Sequence, residues 1–542
     1  MHAEGSVRPP VPSTKMTTQR KGLLAEKRII TICFLIALGQ FQYGYDSAAI
    51  AGFQGMPGFL EVFGYVDPTS PIGLNISTDV QRLIQSLMNV GGFLSAVVMY
   101  FLGGHLSRRV GLWLGCALGV LSVTIMVCVT SLGGLYAGRL FLGMSNGFFV
   151  PYSVMYMAEA APSLLRGPIV GMSVFQISLG SLFGIMVDNY TNGYGGDKSW
   201  QIPLGVMYIV PVFLAILRLF LPDTPRYYVM KGRGDDALRA MRRLRGISDE
   251  AFLRAEVDDI RNAYEIEKQL HAGVHLRDMF RGPDLRRTLL CYGTTIGGTA
   301  TGVTFLAGFS VYLFVQANIG APFTWLIVAI AIALTGNMLA FPAMRVFGRR
   351  ELLVWCSVIS SACMFGMAIV YSVLGPTEIA GKALVALSIV LTWFYGVGQG
   401  PVMWALSVEI PSQRLRSQTV GTATGLNFIA GWLTAFFTPY FINSDQLNWG
   451  PRYGYIWGAS NLILAMWAFL FVPETKGRSL EQLDELFENR VATRQFSSFL
   501  VERRLVDSTV MERAPAMGRP NSGDGKRVVG YEAEDSEKQR RA

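Results

Sequence analysis

Pro222-Asp223-Thr224-Pro225-Arg226 begins a long polar run inside an otherwise apolar chain of 542 residues, and Arg281-Gly282-Pro283-Asp284-Leu285-Arg286-Arg287 ends it. Between these ends, charged residues recur at helical spacing, as in Asp235-Asp236-Ala237-Leu238-Arg239. The run is too charged to lie in lipid and too periodic to be a plain linker, which predicts short amphipathic helices on a membrane surface. Six apolar segments precede it and six follow it. The sequence therefore predicts an all-α membrane protein with two six-helix halves joined by a helical bridge.

Each apolar segment approaches the roughly 20 residues that a membrane-spanning helix needs. We call the segments span 1 to span 12, and they are predicted at residues 29–51, 83–104, 112–132, 135–158, 169–188, 201–221, 288–315, 322–345, 351–374, 384–408, 418–442 and 452–472. The predicted domains are a disordered N-terminus (1–28), a first half (29–221), the bridge (222–287), a second half (288–472) and a C-terminal segment (473–542). That last segment is polar and poor in aromatic residues after about residue 490, which predicts disorder there.

The composition is that of a polytopic membrane protein, with 51% hydrophobic and 16% charged residues. The net charge of +9 lies mostly in alternate loops, for example at Arg108-Arg109 and Arg349-Arg350, while the loops between them carry few basic residues. This asymmetry is the positive-inside pattern, which predicts that both termini and the bridge are cytoplasmic. It argues against a nucleic-acid partner. The expected setting is a monomer in the lipid bilayer of the plasma membrane.

Catalytic or metal chemistry is not indicated by the sequence. All six cysteines fall in apolar spans without a Cys-x-x-Cys pair, and the four histidines form no cluster with them. Because no nucleophile, metal cluster or cofactor loop is apparent, we expect no enzyme activity, no metal and no cofactor. Two sequons, which begin at Asn75 and Asn189, lie on the predicted non-cytoplasmic side and are candidate glycosylation sites.

Three signals recur in the same order in both halves: a basic loop after spans 2 and 8, a glutamate followed seven residues later by an arginine after spans 4 and 10, and a proline–acid–threonine run after spans 6 and 12. The residues are Arg109, Glu159, Arg166 and Pro222-Asp223-Thr224 in the first half, and Arg349, Glu409, Arg416 and Pro473-Glu474-Thr475 in the second. A parallel repeat of six helices is the architecture of major facilitator transporters, which bind solute near the midplane between the halves.

The repeated charges are candidate gating groups. Acidic and basic residues at the cytoplasmic ends of neighbouring helices can pair across the interface when the cavity opens outward, and they must separate when it opens inward. The alternative is that these charges only anchor the helix ends to lipid headgroups.

Two ionisable residues, Asp46 in span 1 and Arg139 in span 4, lie well inside apolar spans. A charge at the centre of a spanning helix costs about 2.5–3.5 kcal/mol on insertion scales, so we expect the two to pair. Protonation of the aspartate would release the arginine and couple a proton to a conformational change. The alternative is a static structural ion pair.

Several ordered motifs resemble the sugar porter family of the major facilitator superfamily, and the segment from Pro473 to Glu481 resembles its fungal members. The match covers about residues 29–487. The motifs are Gly44-Tyr45-Asp46, Gly138-Arg139, Pro222-Asp223-Thr224-Pro225-Arg226, Gly398-Gln399-Gly400-Pro401, Ser407-Val408-Glu409-Ile410-Pro411 and Pro473-Glu474-Thr475-Lys476-Gly477.

The resemblance implies roles for individual residues. It implies that Asp46 is the proton acceptor and that Gln176 in span 5 and Trp404 in span 10 contact the solute. An amide offers hydrogen-bond donors and acceptors to hydroxyl groups, and an indole offers an apolar face and one donor.

The chain departs from the family pattern at both cytoplasmic loops and in span 7. Arg108 and Arg345 replace acidic residues, and Leu112-Trp113 replace a basic pair, so the gate of the first half is expected to be the weaker one. In spans 7 and 11, long polar side chains are replaced at Gly298, Thr299, Thr304, Gly308, Phe309 and Gly431. A site with Trp404, Phe305 and Phe309 would then suit a larger, flatter or less hydroxylated solute.

The predicted function is secondary active transport, proton-coupled, of a small polar organic solute such as a sugar or polyol. One alternative is a transporter or exporter of the same fold for a non-sugar metabolite, such as a hydroxylated acid or a secondary-metabolite intermediate. A second alternative is a nutrient receptor that binds its solute without moving it.

Overall fold

The computed structural model describes residues 27–496, except residues 69, 71, 103–105, 163–164, 247–248, 272, 317–319 and 479. Residues 1–26 and the tail beyond 496, both predicted to be disordered, lie outside this description. The sequence predicts disorder from about residue 490. In the structure, residues 490–496 include a turn of 3-10 helix, Thr493–Gln495. The Phe496 ring packs on Phe487, with ring centroids 5.1 Å apart. That boundary therefore shifts toward the C-terminus.

The described chain forms all twelve predicted spans. In chain order they are Lys27–Ile36 with Leu38–Phe53, Thr78–Leu102, Arg108–Cys128, Leu132–Ala160, Arg166–Thr191, Lys198–Val206 with Ile209–Phe220, Gly282–Thr299 with Val303–Gln316, Pro322–Phe347, Arg349–Leu374, Glu378–Phe394 with Gly400–Glu409, Arg416–Ile442 and Gly454–Phe471. Ten of them are long and apolar enough to cross a membrane by length and composition. The other two are span 1, which is interrupted at Ala37, and span 4, which carries Arg139 and Glu159.

Local sequence explains several helix starts. Serine and threonine side chains accept hydrogen bonds from backbone N–H groups of the first turn at spans 3, 4 and 10, as Ser107 does from Val110 at 3.1 Å. Between spans 1 and 2 the chain forms a short helix, Pro57–Phe63, and two antiparallel strands, Tyr65–Val66 and Leu74–Asn75.

Spans 7 and 10 are irregular near their centres. Span 7 breaks between Thr299 and Val303, where Gly302 has a φ of +79° and a side chain would meet the Trp457 ring. Span 10 contains a π-helical turn, Tyr395–Gln399. Such turns are rare and often occur at functional sites. The Gln399 amide joins the two irregularities, because it donates to Asn461 at 2.8 Å and Asn461 donates to the Thr301 carbonyl at 2.7 Å.

The bridge is helical, as predicted. It contains the helices Pro225–Met230, Gly234–Arg245 and Glu250–His271, followed by a 3-10 turn, Leu276–Phe280. Their apolar faces share a small core. A further helix, Leu480–Glu488, is held at the start of span 7 by an ion pair between Arg287 and Asp484. We call the membrane side that carries the bridge the bridge side and the opposite one the distal side.

The two halves meet through three pairs of spans: 2 with 11, 5 with 8, and 1 with 7. Within the first half, spans 1 and 5 pack with backbones in contact. A side-chain carbon at Gly44 would lie only 1.9 Å from the Ile177 carbonyl oxygen, so glycine is required there.

Candidate functional site

Asp46 is fully buried in the middle of span 1 and is held by two neutral amides. Gln42, one helical turn earlier, donates to one carboxylate oxygen at 2.6 Å. Asn146 of span 4 donates to the other at 2.9 Å. An amide can also accept a hydrogen bond, so both neighbours can tolerate the ionised and the protonated form of the carboxyl group.

Arg139 does not form the predicted direct ion pair with Asp46 in this structure. Its Nε donates to the Ile84 carbonyl of span 2 at 2.8 Å, and one terminal nitrogen contacts the Met88 sulfur at 3.6 Å. The reason is helix geometry: Asn146 lies two turns after Arg139 on span 4 and takes the place beside the carboxylate that the guanidinium was expected to fill.

A charge cluster closes the bridge-side end of the first half. Arg108 binds Glu159 through two nitrogens, the shortest contact being 2.7 Å, and both side chains are buried, at 6% and 9% exposed. Thr224 donates a hydrogen bond to the same glutamate, and Asp223 accepts from the backbone N–H of Arg109 at 3.0 Å. The proline–acid–threonine run therefore links the start of span 3 to the end of span 4.

The second half repeats this cluster. Arg349 donates to Glu409 at 3.0 Å, Thr475 donates to the other oxygen of Glu409 at 2.7 Å, and Glu474 accepts from the backbone N–H groups of Arg349 and Arg350, both at 3.0 Å. Both side chains of this ion pair are 24% exposed. The sequence predicts a weaker gate in the first half because Arg108 replaces an acidic residue. In the structure Arg108 itself supplies the cation for Glu159, in an ion pair that is more buried than that of Arg349 and Glu409, and the relative strength of the two gates stays a prediction.

The structure also corrects which arginine serves the first half. The predicted gating residue is Arg109, but its side chain is only half-buried, and its backbone N–H donates to Asp223. Arg108 is the residue that forms the ion pair with Glu159. Arg108 and Arg349 are each the first residue of their helix, so the two arginines occupy equivalent positions in the two halves.

The other two predicted gating arginines begin spans 5 and 11. Arg166 is exposed at the first position of span 5, and Arg416 occupies the first position of span 11. Both glutamates are paired within their own half, with Arg108 and Arg349 respectively, instead of across the interface.

Polar groups near the midplane come from spans 5, 7 and 11. Gln176 is fully buried, and neither of its amide atoms has a hydrogen-bond partner within the described part of the chain. Thr299 donates to Asn427 of span 11 at 2.7 Å. Asn427 was not among the predicted site residues. It lies one helical turn before Gly431, and Gly431 is the position at which the family pattern has an asparagine.

Two glycines in the second half face amides of the first half. A side-chain carbon at Gly431 would lie 3.0 Å from the Asn89 amide oxygen of span 2. At Gly308, the amides of Gln54 and Gln85 both donate to the backbone carbonyl, at 2.9 and 3.0 Å. The replacement of an asparagine by Gly431 predicts a site with room for a larger solute. Instead, an amide from the opposite half occupies the space beside it.

Phe305 and Phe309, which were expected at the solute site, lie in a buried apolar cluster. Both are buried in the apolar core, and Phe305 packs edge-on against Tyr453 at 5.1 Å between ring centroids. They lie four residues apart and therefore share one face of span 7, and the core around them contains residues of both halves. Thr304, next to them, is half-buried, and Trp404 is 55% exposed.

Hydrogen bonds between the halves close the distal side, and we call this set the distal seal. At spans 2 and 11, Thr78 donates to Asp445 at 2.8 Å and accepts from Asn443 at 2.9 Å, and Arg82 donates to Tyr440. At spans 1, 2 and 7, the amides of Gln54 and Gln85 bind the Gly308 carbonyl. We include in the seal the bond that supports Gln54 from within the first half, in which Gln81 donates to Gln54 at 2.7 Å.

The two sequons differ in accessibility. The Asn75 side chain is buried, and its amide nitrogen donates to Asp67 at 3.0 Å and to Ser444 of the second half at 3.4 Å. This conformation leaves no room for a glycan on that nitrogen. Asn189 is exposed near the distal end of span 5, so the prediction for Asn189 remains.

Two repeated six-helix halves, buried polar groups at their interface and one matching charge cluster in each half define a transporter of the major facilitator fold. The chain belongs to the sugar porter family: the family model described as "Sugar (and other) transporter" matches residues 32–487.

Several relatives support this assignment. The chain is 26% identical to hexose transporter 2 of Kluyveromyces lactis, over 87% of this chain and 85% of that protein. It is 27% identical to the major facilitator-type transporter ecdD of Aspergillus rugulosus, over 84% of this chain and 87% of that one. It is also 27% identical to the high glucose sensor RGT2 of Saccharomyces cerevisiae, over 84% of this chain and 60% of the sensor.

A solved structure supports the fold. The inward-open conformation of the xylose transporter XylE from E. coli superposes with a TM-score of 0.68 at 21% sequence identity, over 84% of this chain and 99% of that chain.

Proposed function

We propose that the protein is a proton-coupled transporter of a small polar solute that works by alternating access. The observation that carries the proposal is the setting of Asp46, a buried carboxyl group at the centre of span 1 whose two hydrogen-bond partners are neutral amides. Because both bonded partners are neutral, no ion pair has to break when the carboxyl group gains or loses a proton. Arg139, which lies within electrostatic range, would respond to that change.

The positive-inside pattern supports an orientation with the bridge and both termini in the cytoplasm, and we propose the plasma membrane as the location. In that orientation the distal seal faces the outside, so in this structure the outer side is the closed one. The two charge clusters are paired within their own halves here. We propose that they gate the bridge side, meeting across the interface when the distal seal opens.

The solute class follows from the polar groups at the interface between the halves. Gln176, Thr299, Asn427 and Asn89 offer amide and hydroxyl groups from both halves, which suits a hydroxylated solute such as a sugar or polyol. The family name and the hexose transporter relative support this class. Since Asn427 and Asn89 supply amides close to Gly431, the loss of an asparagine there does not by itself argue against a sugar.

A non-sugar metabolite is the second candidate, and one observation favours it. A side-chain carbon at Gly298 would meet only the Met403 sulfur, at 3.6 Å, so the side chain that faces this glycine is apolar. A solute with one apolar face would fit that side chain better than a hexose, which presents hydroxyl groups all round.

Uptake of labelled solutes by transporter-deficient yeast cells tests the proposal. Saturable accumulation of a hexose, pentose or polyol that a protonophore abolishes would support the first candidate. Accumulation of aromatic or carboxylated metabolites, with sugars inert as competitors, would support the second. Binding of glucose by the purified protein without any uptake would instead support the receptor alternative.

The gate is tested separately with Glu409→Gln and single cysteines placed on either side of the membrane. If the bridge side closes by pairing of these charges across the halves, the variant shifts the population toward the state sealed on the distal side, by no more than the pairing energy lost. Unchanged accessibility from both sides would reduce the charges to membrane anchors.

A further inference from the structure

A second carboxyl group, Asp188, is buried in the first half and has no role in the site described above. It lies in span 5, three residues before the distal end of the helix Arg166–Thr191. Its side chain is fully buried, and neither carboxylate oxygen has a hydrogen-bond partner among the described residues.

The group is held against the backbone of span 1. A side-chain carbon at Gly52 would lie 2.0 Å from one Asp188 oxygen, so the carboxyl group occupies the space that glycine leaves. Any larger residue at position 52 would collide with it. The same two spans also pack closely at Gly44 and Ile177, and the Asp188 side chain is fully buried between them.

The titratable groups on the elements around span 5 are engaged elsewhere. On span 1, the Tyr45 hydroxyl donates to the Pro203 carbonyl at 3.1 Å and Asp46 is bound by Gln42 and Asn146. On span 4, Arg139 binds the Ile84 carbonyl. Lys198, at the start of span 6, is exposed. Span 8 carries its one charged residue, Arg345, at its opposite, bridge-side end. Within the described chain, then, no cation pairs with Asp188.

A carboxylate without water, a cation or a hydrogen-bond donor is strongly disfavoured, whereas the neutral acid is tolerated. The environment of Asp188 therefore favours the protonated form. Gln54 belongs to the distal seal and lies only two residues after Gly52 on span 1. A displacement of Gln54 when the seal opens can therefore carry with it the segment of span 1 that covers Asp188.

We propose that Asp188 is a second proton-binding site of the first half. It holds one proton while the distal seal is closed and releases it to the distal solution when the seal opens. In that step the carboxyl O–H bond breaks, the proton passes to water, and the carboxylate becomes hydrated. The proposal rests on the proposed function only in requiring alternating access, and it concerns a residue other than Asp46.

The sign of the pH effect follows from proton linkage. Because the closed state binds the proton more tightly than the open state, acidification of the distal side favours the closed state. One proton changes the ratio of closed to open protein by at most about tenfold per pH unit, within the range between the pKa values of the two states.

The first test is infrared difference spectroscopy on the full chain, with the seal locked by a disulfide in the variant Thr78→Cys/Asp445→Cys. The locked protein is expected to show the carbonyl stretch of an un-ionised carboxylic acid at neutral pH. The band should be lost in Asp188→Asn and kept in the matched control Asp46→Asn. No difference between the locked parent and Asp188→Asn would overturn the proposal.

The second measurement needs no substitution at Asp188. Titration of the unlocked and locked proteins should remove the band at a lower pH in the unlocked one, because only that protein can open and hydrate the group. Identical titrations would contradict the proposal. Neither measurement involves a transported solute, so a negative result here is distinguishable from a failure of the uptake assay.

Discussion

The guanidinium group of Arg108 binds both carboxylate oxygens of Glu159, although Arg108 occupies a position where the family pattern has an acidic residue. In the second half the equivalent glutamate, Glu409, is bound by Arg349. Arg108 lies three residues before its loop glycine, whereas Arg349 lies one residue after its own, a difference of four positions. Four residues are about one helical turn. The first half therefore reaches the same ion pair with an arginine that starts its helix one turn earlier.

This pair gives a stability prediction. Arg108→Gln leaves Glu159 buried without its cation, and we expect a loss of about 3–5 kcal/mol, as for other broken buried ion pairs. Thermal unfolding of the purified protein measures it. The matched control is Arg109→Gln, which should change stability little because only the Arg109 backbone contacts Asp223. Equal destabilisation by both variants would contradict the assignment.

A coupling prediction concerns Asp46. Asp46→Asn keeps the size of the side chain, and both contacts are retained when one neighbouring amide rotates to present its oxygen, but the variant can no longer exchange a proton. We expect accumulation of solute against a gradient to be lost while exchange of solute across the membrane persists. If the variant still concentrates solute, and a protonophore leaves the wild type unaffected, Asp46 does not couple transport to protons.

A third prediction concerns solute binding at Asn427. Its amide is held by Thr299 near the midplane, and one lost hydrogen bond is worth about 0.5–1.5 kcal/mol. We expect Asn427→Ala to raise the KM of a polar solute by up to about tenfold. Thr434→Ala is the control, because that hydroxyl donates only within its own helix, to Ala430. A similar KM in both variants would remove Asn427 from the site.

The distal seal gives a fourth prediction. Gln54→Leu removes a donor to Gly308 and also leaves the buried Gln81 amide without its acceptor. An unsatisfied buried amide costs about 1–3 kcal/mol, so the distally open state should gain population. Labelling of a single cysteine near Gly308 from the distal side measures this. The double variant Gln54→Leu/Gln81→Leu should show less labelling than Gln54→Leu alone, because it no longer leaves the Gln81 amide unsatisfied. Labelling that increases further in the double variant would show that Gln81 is not coupled to Gln54.

The sequence by itself determined the fold class, the number of spans, the helical bridge and the repeat, because these depend on composition and periodicity that are local in the chain. All twelve spans were predicted, with ends within about six residues. The motifs also identified the family, and the family model covers residues 32–487. Asp46, Glu159 and Glu409 were found for the same reason: a charged residue in or beside an apolar span is visible without any structure.

Only the tertiary structure decided which groups meet. The partners of Asp46 and Glu159 depend on how helices rotate and where each begins, so Asn146 and Arg108 replaced the partners expected from charge and motif position. Phe305 and Phe309 were expected at the solute site, but they lie on a face of span 7 that packs into the apolar core. Asp188 and Gly52 lie 136 residues apart in sequence, and only close packing of spans 1 and 5 brings the buried carboxyl group against that glycine.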